Sequence, residues 1–113
     1  MKTSSAKSKG RLLQQKVAAL ILKAFPSLNE DDVKSTSMGV SGEDVQLSQA
    51  ARELFPYSVE CKNLKRIAIY KHYEQAESAN RKCEPLLVIK QNRSKALAVV
   101  DLEVFIDLLG RLK

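Results

Sequence analysis

The sequence is poor in the residues that build metal clusters and nucleotide-binding loops. It contains one histidine, His72, and no tryptophan. A single histidine excludes His-rich metal sites and sites that work through a pair of histidines. The two cysteines, Cys61 and Cys83, lack the spacing of metal ligands. No phosphate-binding loop and no Gly-rich dinucleotide motif is present, which excludes the nucleotide-binding classes that depend on them.

Long apolar runs are also missing. No segment approaches the roughly 20 apolar residues that a membrane-spanning helix needs. The start of the chain is basic and Ser-rich, and it lacks the apolar stretch of a secretory signal. We therefore expect an intracellular, cytoplasmic protein with no membrane partner. Cys61 falls at a core-facing strand position and thiols stay reduced in that compartment, so a disulfide with Cys83 is not expected.

The charge of the chain is one-sided. It has 19 Lys and Arg against 13 Asp and Glu, which gives a net charge of +6 and a pI near 9.4. Such a balance favours a polyanionic partner such as nucleic acid; the alternative is a basic protein that is merely soluble. A length of 113 residues with 44% hydrophobic residues fits one globular domain with a modest core.

Hydrophobic periodicity predicts an α/β fold in which helices flank a central mixed β-sheet. Apolar residues at helical spacing indicate helices, and alternation or short apolar runs between turn residues indicate strands. The expected order is α-β-β-β-α-β-β-α, with one helical turn capped by Ser48. Residues 1–8 are predicted to be a flexible basic tail and residues 9–113 a single domain. The predicted helices are 11–25, 66–80 and 102–112, and the predicted strands are 33–38, 43–47, 57–62, 85–89 and 96–100.

The strand that ends at Lys62 carries the most informative residues. Side chains two apart on a strand share a face, so Glu60 and Lys62 point the same way and Cys61 points toward the core. Asp44 supplies a second carboxylate if its strand pairs with this one. Two carboxylates can hold Mg²⁺, which polarises a phosphate and helps to form hydroxide. Because a lysine can orient that water or stabilise the developing charge, the set suits hydrolysis of a phosphodiester.

These residues resemble the signature of the PD-(D/E)XK nucleases: Asp44, then Glu60-x-Lys62, with Glu43 where the signature has proline. The wider pattern is similar to archaeal-type Holliday junction resolvases and their phage relatives, and it covers roughly residues 9 to 105. The resemblance implies a restriction-endonuclease-like fold and a metal-dependent endonuclease that acts on four-way DNA junctions as a homodimer. The matching segments are Lys9-Gly10-Arg11 on a first helix, Ser35 to Gly39 before the aspartate, Val59 to Lys62 at the strand end, and Gln75 on the next helix.

The resemblance also implies individual roles. Asp44, Glu60 and the backbone carbonyl of Cys61 would bind Mg²⁺, for which Mn²⁺ would substitute. Lys62 would act on the attacking water or on the transition state. Gln75 would contact that lysine or the scissile phosphate; the alternative is a solvated helix residue.

One position departs from the family. The resolvases carry a glutamate on the first helix where this chain has Gln14, and an amide binds a metal only through its neutral oxygen or through water. Gln14 is therefore placed at the edge of the site. It favours a second hypothesis, an inactive DNA-binding module of the same fold, whereas the presence of Asp44, Glu60 and Lys62 favours the enzyme. The third hypothesis is a related nuclease that acts on flaps, nicks or duplex DNA. The small size of the chain favours a phage-type enzyme that acts in a bacterial host.

Basic residues crowd the second half of the chain. Nine Lys and Arg but three Glu lie between Lys62 and Lys95. As a group near a phosphodiesterase centre they predict contacts with the DNA backbone rather than with bases; for any one of them the alternative is an ordinary solvated face. His72 is expected on the surface of its helix. The predicted DNA contacts are Lys9, Arg11, Ser35, Ser37, Lys65, Arg66, Lys71, Arg93 and Lys95.

Overall fold

The computed structural model describes residues 3–37 and 42–113. The predicted α/β class is confirmed, with one change in the order, because the turn capped by Ser48 is a separate short helix. Met38 to Ser41, which include the end of the first predicted strand and its Ser/Gly turn, lie outside the described residues. In chain order the elements are α1 (Thr3–Ala24), β1 (Val33–Ser35), β2 (Val45–Leu47), α2 (Gln49–Leu54), β3 (Tyr57–Asn63), α3 (Ile69–Ala79), β4 (Glu84–Lys90), β5 (Leu97–Val99) and α4 (Leu102–Arg111).

The first helix is longer than the sequence predicted. α1 begins at Thr3, so residues 3–8, which were expected to be a tail, are helical. Alanine, serine and lysine in this stretch are compatible with a helix, and Gly10 inside it costs only about 1 kcal/mol. Lys9 Nζ donates a hydrogen bond to Asn92 Oδ1 at 2.7 Å, which ties this part of α1 to the loop between β4 and β5.

The strands form two hydrogen-bonded ladders rather than one continuous sheet. β1 and β2 pair antiparallel, with Val33 opposite Leu47. β3, β4 and β5 form a mixed sheet in which β3 and β4 are parallel and β5 is antiparallel to β4. A hydrogen bond from the Asp44 amide to the Val59 carbonyl, 2.9 Å long, joins the two ladders. The expected mixed sheet with flanking helices is therefore present, in two parts.

The core lies between α1 and the two ladders. Apolar residues of α1 recur at helical spacing and pack against β1 and β3. Val45 and Val59 are fully buried at the centre. The main core residues are Leu13, Val17, Ala18, Ile21, Leu28, Val33, Val45, Leu47, Ala51, Val59, Cys61 and Val88.

The third helix covers the face of β3 that carries the charged residues. Because α3 connects two parallel strands, it runs antiparallel to both. Ser58 Oγ donates to the Ala76 carbonyl at 2.7 Å, and both residues are fully buried. Since alternate residues of a strand share a face, this contact places Glu60 and Lys62 on the side of β3 that faces α3.

The last helix lies at the surface. Asp101 caps α4 by accepting a hydrogen bond from the Val104 amide, and no residue of the helix is buried. Its apolar residues are exposed, among them Leu102 at 72% and Ile106 at 57%. None of the helices in the described part of the chain has the length and apolar character needed to cross a membrane.

Candidate active site

Asp44 lies where the two ladders meet. Its carbonyl accepts a hydrogen bond of 2.9 Å from the Thr36 amide at the end of β1. Its side chain turns toward β3, where Oδ2 accepts from the Cys61 amide at 2.7 Å. Cys61 stands between Glu60 and Lys62 in the strand, so this hydrogen bond fixes the Asp44 carboxylate beside both of them.

Glu60 and Lys62 form an ion pair on the face of β3 under α3. Lys62 Nζ lies 3.1 Å from Glu60 Oε2, and the side chains are 24% and 11% exposed, respectively. They share a face, as the strand periodicity predicted. Cys61 points the other way and belongs to the hydrophobic core, together with Val59. Asp44, Glu60 and Lys62 are therefore brought together at the junction between the ladders.

Burial makes both carboxylates less acidic. Desolvation raises the pKa of Asp44 above its ordinary value, although the Cys61 amide and the charge of Lys62 oppose the shift. Desolvation also raises the pKa of Glu60, and the negative charge of Asp44 raises it further against the attraction of Lys62. Two neighbouring buried carboxylates of this kind form an environment that a divalent cation stabilises.

Removing one of these charges is expected to stabilise the protein at neutral pH in the absence of divalent cations. Because the pKa of Glu60 is higher in the folded state, the folded protein binds more protons than the unfolded one between the two pKa values. The free energy of unfolding therefore falls as the pH rises from the unfolded-state pKa to the folded-state pKa of Glu60. Above the folded-state pKa the full destabilisation by the ionised carboxylate is present. Glu60→Gln should raise the thermal unfolding midpoint at pH 7 in EDTA, and the gain should disappear near pH 4. A lower midpoint at pH 7 would contradict this electrostatic account.

Glu43, which replaces the proline of the nuclease signature, anchors the segment that carries Asp44. Its carboxylate accepts two hydrogen bonds from Arg52 of α2, Nη1 to Oε1 at 3.0 Å and Nη2 to Oε2 at 2.6 Å. Asn80, at the end of α3, donates to Oε2 at 3.3 Å. The Thr36 hydroxyl donates to the Glu43 carbonyl. Glu43 therefore joins its own segment to β1, α2 and the end of α3, and no local pattern in the sequence indicates these contacts.

Breaking this contact should destabilise the fold. Arg52→Met leaves the Glu43 carboxylate, whose side chain is 12% exposed, without its charged donor. We expect a loss of about 1 to 2 kcal/mol in the free energy of unfolding, measured with denaturant, because a poorly solvated acceptor loses charged hydrogen bonds. Arg111→Met is the matched control: it removes an exposed pair with Asp107 at 2.8 Å and should cost less than about 0.5 kcal/mol. Equal losses in the two variants would contradict the anchoring role.

Gln14 is a buried polar residue of α1. It is 7% exposed, and its amide oxygen Oε1 has no hydrogen-bond partner among residues 3–37 and 42–113. A buried acceptor of this kind normally has a water molecule or an ion as its partner. An amide oxygen, like a carboxylate oxygen, is a ligand type that Mg²⁺ and Mn²⁺ accept more readily than a softer metal does. The position of Gln14 at the edge of the site stays a prediction.

A cation at this place would have few side-chain ligands. No group of three or more His, Cys, Asp or Glu side chains in the described ranges is arranged to hold a metal ion. Two carboxylates with carbonyl, phosphate or water oxygens are sufficient for Mg²⁺, which usually keeps several waters. The Cys61 thiol does not suit a ligand role, because burial raises its pKa far above the ordinary value. The predicted role of the Cys61 carbonyl remains a prediction.

The two polar residues of α3 differ in their exposure. Gln75 is exposed and lines a surface depression with Lys71 and Gly42, which lies two residues before Asp44. Its predicted contact with Lys62 or with phosphate stays a prediction. His72, expected at the surface, is instead partly buried, because it lies one turn before Ala76 on the side of α3 that covers β3. Burial lowers the pKa of His72, and the charges of Lys62 and Lys71 lower it further.

Several of the predicted DNA contacts gather near the carboxyl ends of β3 and β4. Lys9 reaches this region through Asn92, and the Lys65 carbonyl accepts from Gln91 Nε2 at 2.8 Å. Arg93 and Lys95 belong to the same loop and are exposed, and Arg93 has a φ of 61°. Ser35 is half-buried and pairs in register with Val45, next to Asp44. The remaining predicted contacts, all exposed, are Arg11, Ser37, Arg66 and Lys71.

Comparisons with protein-family models, with curated proteins and with solved structures find no match to this chain.

Proposed function

We propose that the protein is a divalent-metal-dependent DNA endonuclease of the PD-(D/E)XK type, with the four-way Holliday junction as its preferred substrate. The observation that carries this proposal is the grouping of Asp44, Glu60 and Lys62. The Asp44 carboxylate is held on the Cys61 amide at 2.7 Å, and Lys62 Nζ lies 3.1 Å from Glu60. The charges of Asp44 and Lys62 both shift the pKa of Glu60, so the three groups interact.

Each residue of the group has a role in hydrolysis. Asp44 and Glu60 would hold Mg²⁺ or Mn²⁺, with Gln14 and the Cys61 carbonyl as further oxygen donors. Bound there, the ion would polarise the scissile phosphate and lower the pKa of a water molecule. Lys62 carries its positive charge into a poorly solvated site, where it orients the attacking water or stabilises charge that develops on the phosphate.

The distribution of charge supports a nucleic acid as substrate. Lys9, Lys65, Arg93 and Lys95 lie on segments that meet near the ends of β3 and β4, beyond the Glu60–Lys62 pair. Contacts of this kind neutralise phosphates without reading bases, so recognition would depend on the shape of the DNA. A branched substrate fits that mode of recognition, and the proposal assigns no sequence preference.

Resolution of a junction requires two nicks at symmetric positions, so the proposal includes a homodimer. One two-fold interface orients two copies of the site in opposite directions. The apolar face of α4 supports self-association, because Phe105, Leu108 and Leu109 are 44–45% exposed on a helix without a buried residue. Light scattering of the purified protein should give the mass of two chains.

A cleavage assay tests the proposed function. Purified protein in Mg²⁺ is offered a four-way junction, a flap, a nicked duplex and a linear duplex with the same arm sequences. We expect paired nicks in the junction, and no cleavage in EDTA. Faster cleavage of the flap or the duplex would support the proposed nuclease activity but contradict the preference for a four-way junction. Binding without cleavage of any substrate, in Mg²⁺ or Mn²⁺, would favour the inactive DNA-binding module, which the amide at Gln14 in place of an acid supports.

A further inference from the structure

Close to the candidate site, His72 has a buried ring nitrogen, Nδ1, without a hydrogen-bond partner among the residues that the structure describes. A neutral imidazole with its proton on Nε2 leaves Nδ1 free to accept one hydrogen bond. A buried acceptor without a partner is unfavourable. We therefore expect a donor to reach Nδ1 in some state of the protein.

The packing of α3 on β3 shows where His72 lies relative to the candidate site. Ser58 Oγ donates to the Ala76 carbonyl at 2.7 Å, which sets the register between the two elements. His72 lies four residues, about one helical turn, before Ala76, a step of about 6 Å along the axis. Glu60 lies two residues after Ser58 on the same face, a step of about 6.6 Å. Because the two elements run antiparallel, both steps lead in the same direction and place His72 over Glu60, whose carboxylate is paired with Lys62 Nζ at 3.1 Å.

The electrostatics of the site agree with this placement. After burial, the positive charge of Lys62 is the next largest cause of the lowered pKa of His72, and Lys71 also contributes. The lowered pKa favours the neutral imidazole, which is able to accept a hydrogen bond. Lys62 is a flexible cationic donor on the covered face of β3, and its ammonium carries three N–H groups and is paired with one oxygen of Glu60.

We propose that Nδ1 of His72 is a second acceptor for the Lys62 ammonium. Lys62 Nζ is paired with Glu60 Oε2 at 3.1 Å in this structure, and it turns to His72 when the Glu60 carboxylate is engaged elsewhere. His72 is then a positioning residue, since it keeps the lysine at the site after its ion pair is released. The proposed hydrogen bond does not depend on the nuclease function, whereas its effect on cleavage rests on that proposed function.

The first experiment observes the hydrogen bond without any cleavage. His72 is the single histidine of the chain, so its Nδ1 gives one unambiguous ¹⁵N resonance. In Glu60→Met, which removes the competing acceptor, this resonance should move in the direction of an accepted hydrogen bond. In the double variant Glu60→Met with Lys62→Met, the Nδ1 resonance should return to its wild-type position. Identical Nδ1 shifts in the single and the double variant would overturn the proposal.

A second comparison covers the case in which Glu60→Met does not fold. Mg²⁺ is added to wild-type protein and to Lys62→Met, and the same resonance is followed. A shift of Nδ1 in the wild type that is absent in Lys62→Met supports the proposal. Equal responses in the two proteins would show that the lysine is not the donor, and they would overturn it.

Kinetics test the positioning role if the wild type cuts DNA. His72→Leu should lower kcat by about 10- to 100-fold with little change in KM, because a misplaced catalytic group costs about that much. His72→Asn should restore most of the rate, since its Oδ1 takes the place of Nδ1, and Glu77→Ala on the exposed side of α3 is the control. Unchanged kcat in His72→Leu would overturn the positioning role. A wild type that cuts no DNA would refute the nuclease function, and the resonance experiments would still decide the hydrogen bond.

Discussion

Replacing Glu60 with glutamine is expected to slow cleavage of a four-way junction at least about 100-fold in Mg²⁺, because losing a transition-state interaction costs this much or more. The side chain keeps its size, so the packing of β3 under α3 is preserved. Asp44→Asn should have an effect of the same order, since its amide oxygen can still accept from the Cys61 amide but carries no charge. Lys62→Ala should be similarly slow. Single-turnover rates at saturating protein measure all three.

Junction binding is the control for these variants. Affinity measured in EDTA should persist in all three, and it should tighten in the carboxylate variants because a negative charge near phosphate is removed. Gln14→Ala is the matched comparison, since a neutral amide is a weaker ligand and its loss should matter less. If Gln14→Ala is as slow as Glu60→Gln, the amide is an essential part of the site. Equal rates for Glu60→Gln and wild type would remove the active-site assignment.

Local sequence patterns were sufficient for the α/β class and for the face shared by Glu60 and Lys62. The direction of a side chain on a strand depends only on whether its position is odd or even, which a short segment already shows. Ser48 marks the start of α2 for a similarly local reason, because its hydroxyl accepts from the Ala51 amide at 3.1 Å. These features follow from neighbours a few residues apart.

The contacts that hold the site together join residues far apart in the chain. Arg52 and Asn80 both donate to Glu43, although 37 residues separate Asn80 from it. No local pattern in the sequence distinguishes Arg52 or Asn80 from other polar surface residues. His72 shows the same difficulty, since its burial depends on the register of α3 over β3 that the Ser58–Ala76 contact sets. Local periodicity carries no information about that register.

The candidate site holds charged and polar groups in positions where burial is unfavourable for them. Asp44 and Glu60 are largely buried with raised pKa values, and the amide oxygen of Gln14 has no partner within the described ranges. Each feature costs stability, and the bidentate contact between Glu43 and Arg52 helps to hold the arrangement in place. Such local conflicts concentrate at functional sites, where binding a ligand relieves them.

Affinity for a four-way junction is expected to fall about 500-fold between 50 and 200 mM monovalent salt. If five basic side chains each neutralise one phosphate, the slope of log affinity against log salt is about −4.5, and a fourfold rise in salt then gives this factor. Fluorescence anisotropy of a labelled junction in EDTA measures the slope without cleavage. The five side chains, all exposed, are Lys65, Arg66, Lys71, Arg93 and Lys95.

Two variants separate local contact from overall charge. Arg93→Ala combined with Lys95→Ala should reduce the magnitude of the slope by about 2, because two phosphate contacts are lost. Lys23→Ala is the matched control, since Lys23 lies in the last turn of α1, about 21 Å along the helix axis from Lys9. It should leave the slope unchanged. An affinity that does not depend on salt would refute backbone binding, and an equal change per charge in the control would show that the net charge of +6, not this surface, attracts the DNA.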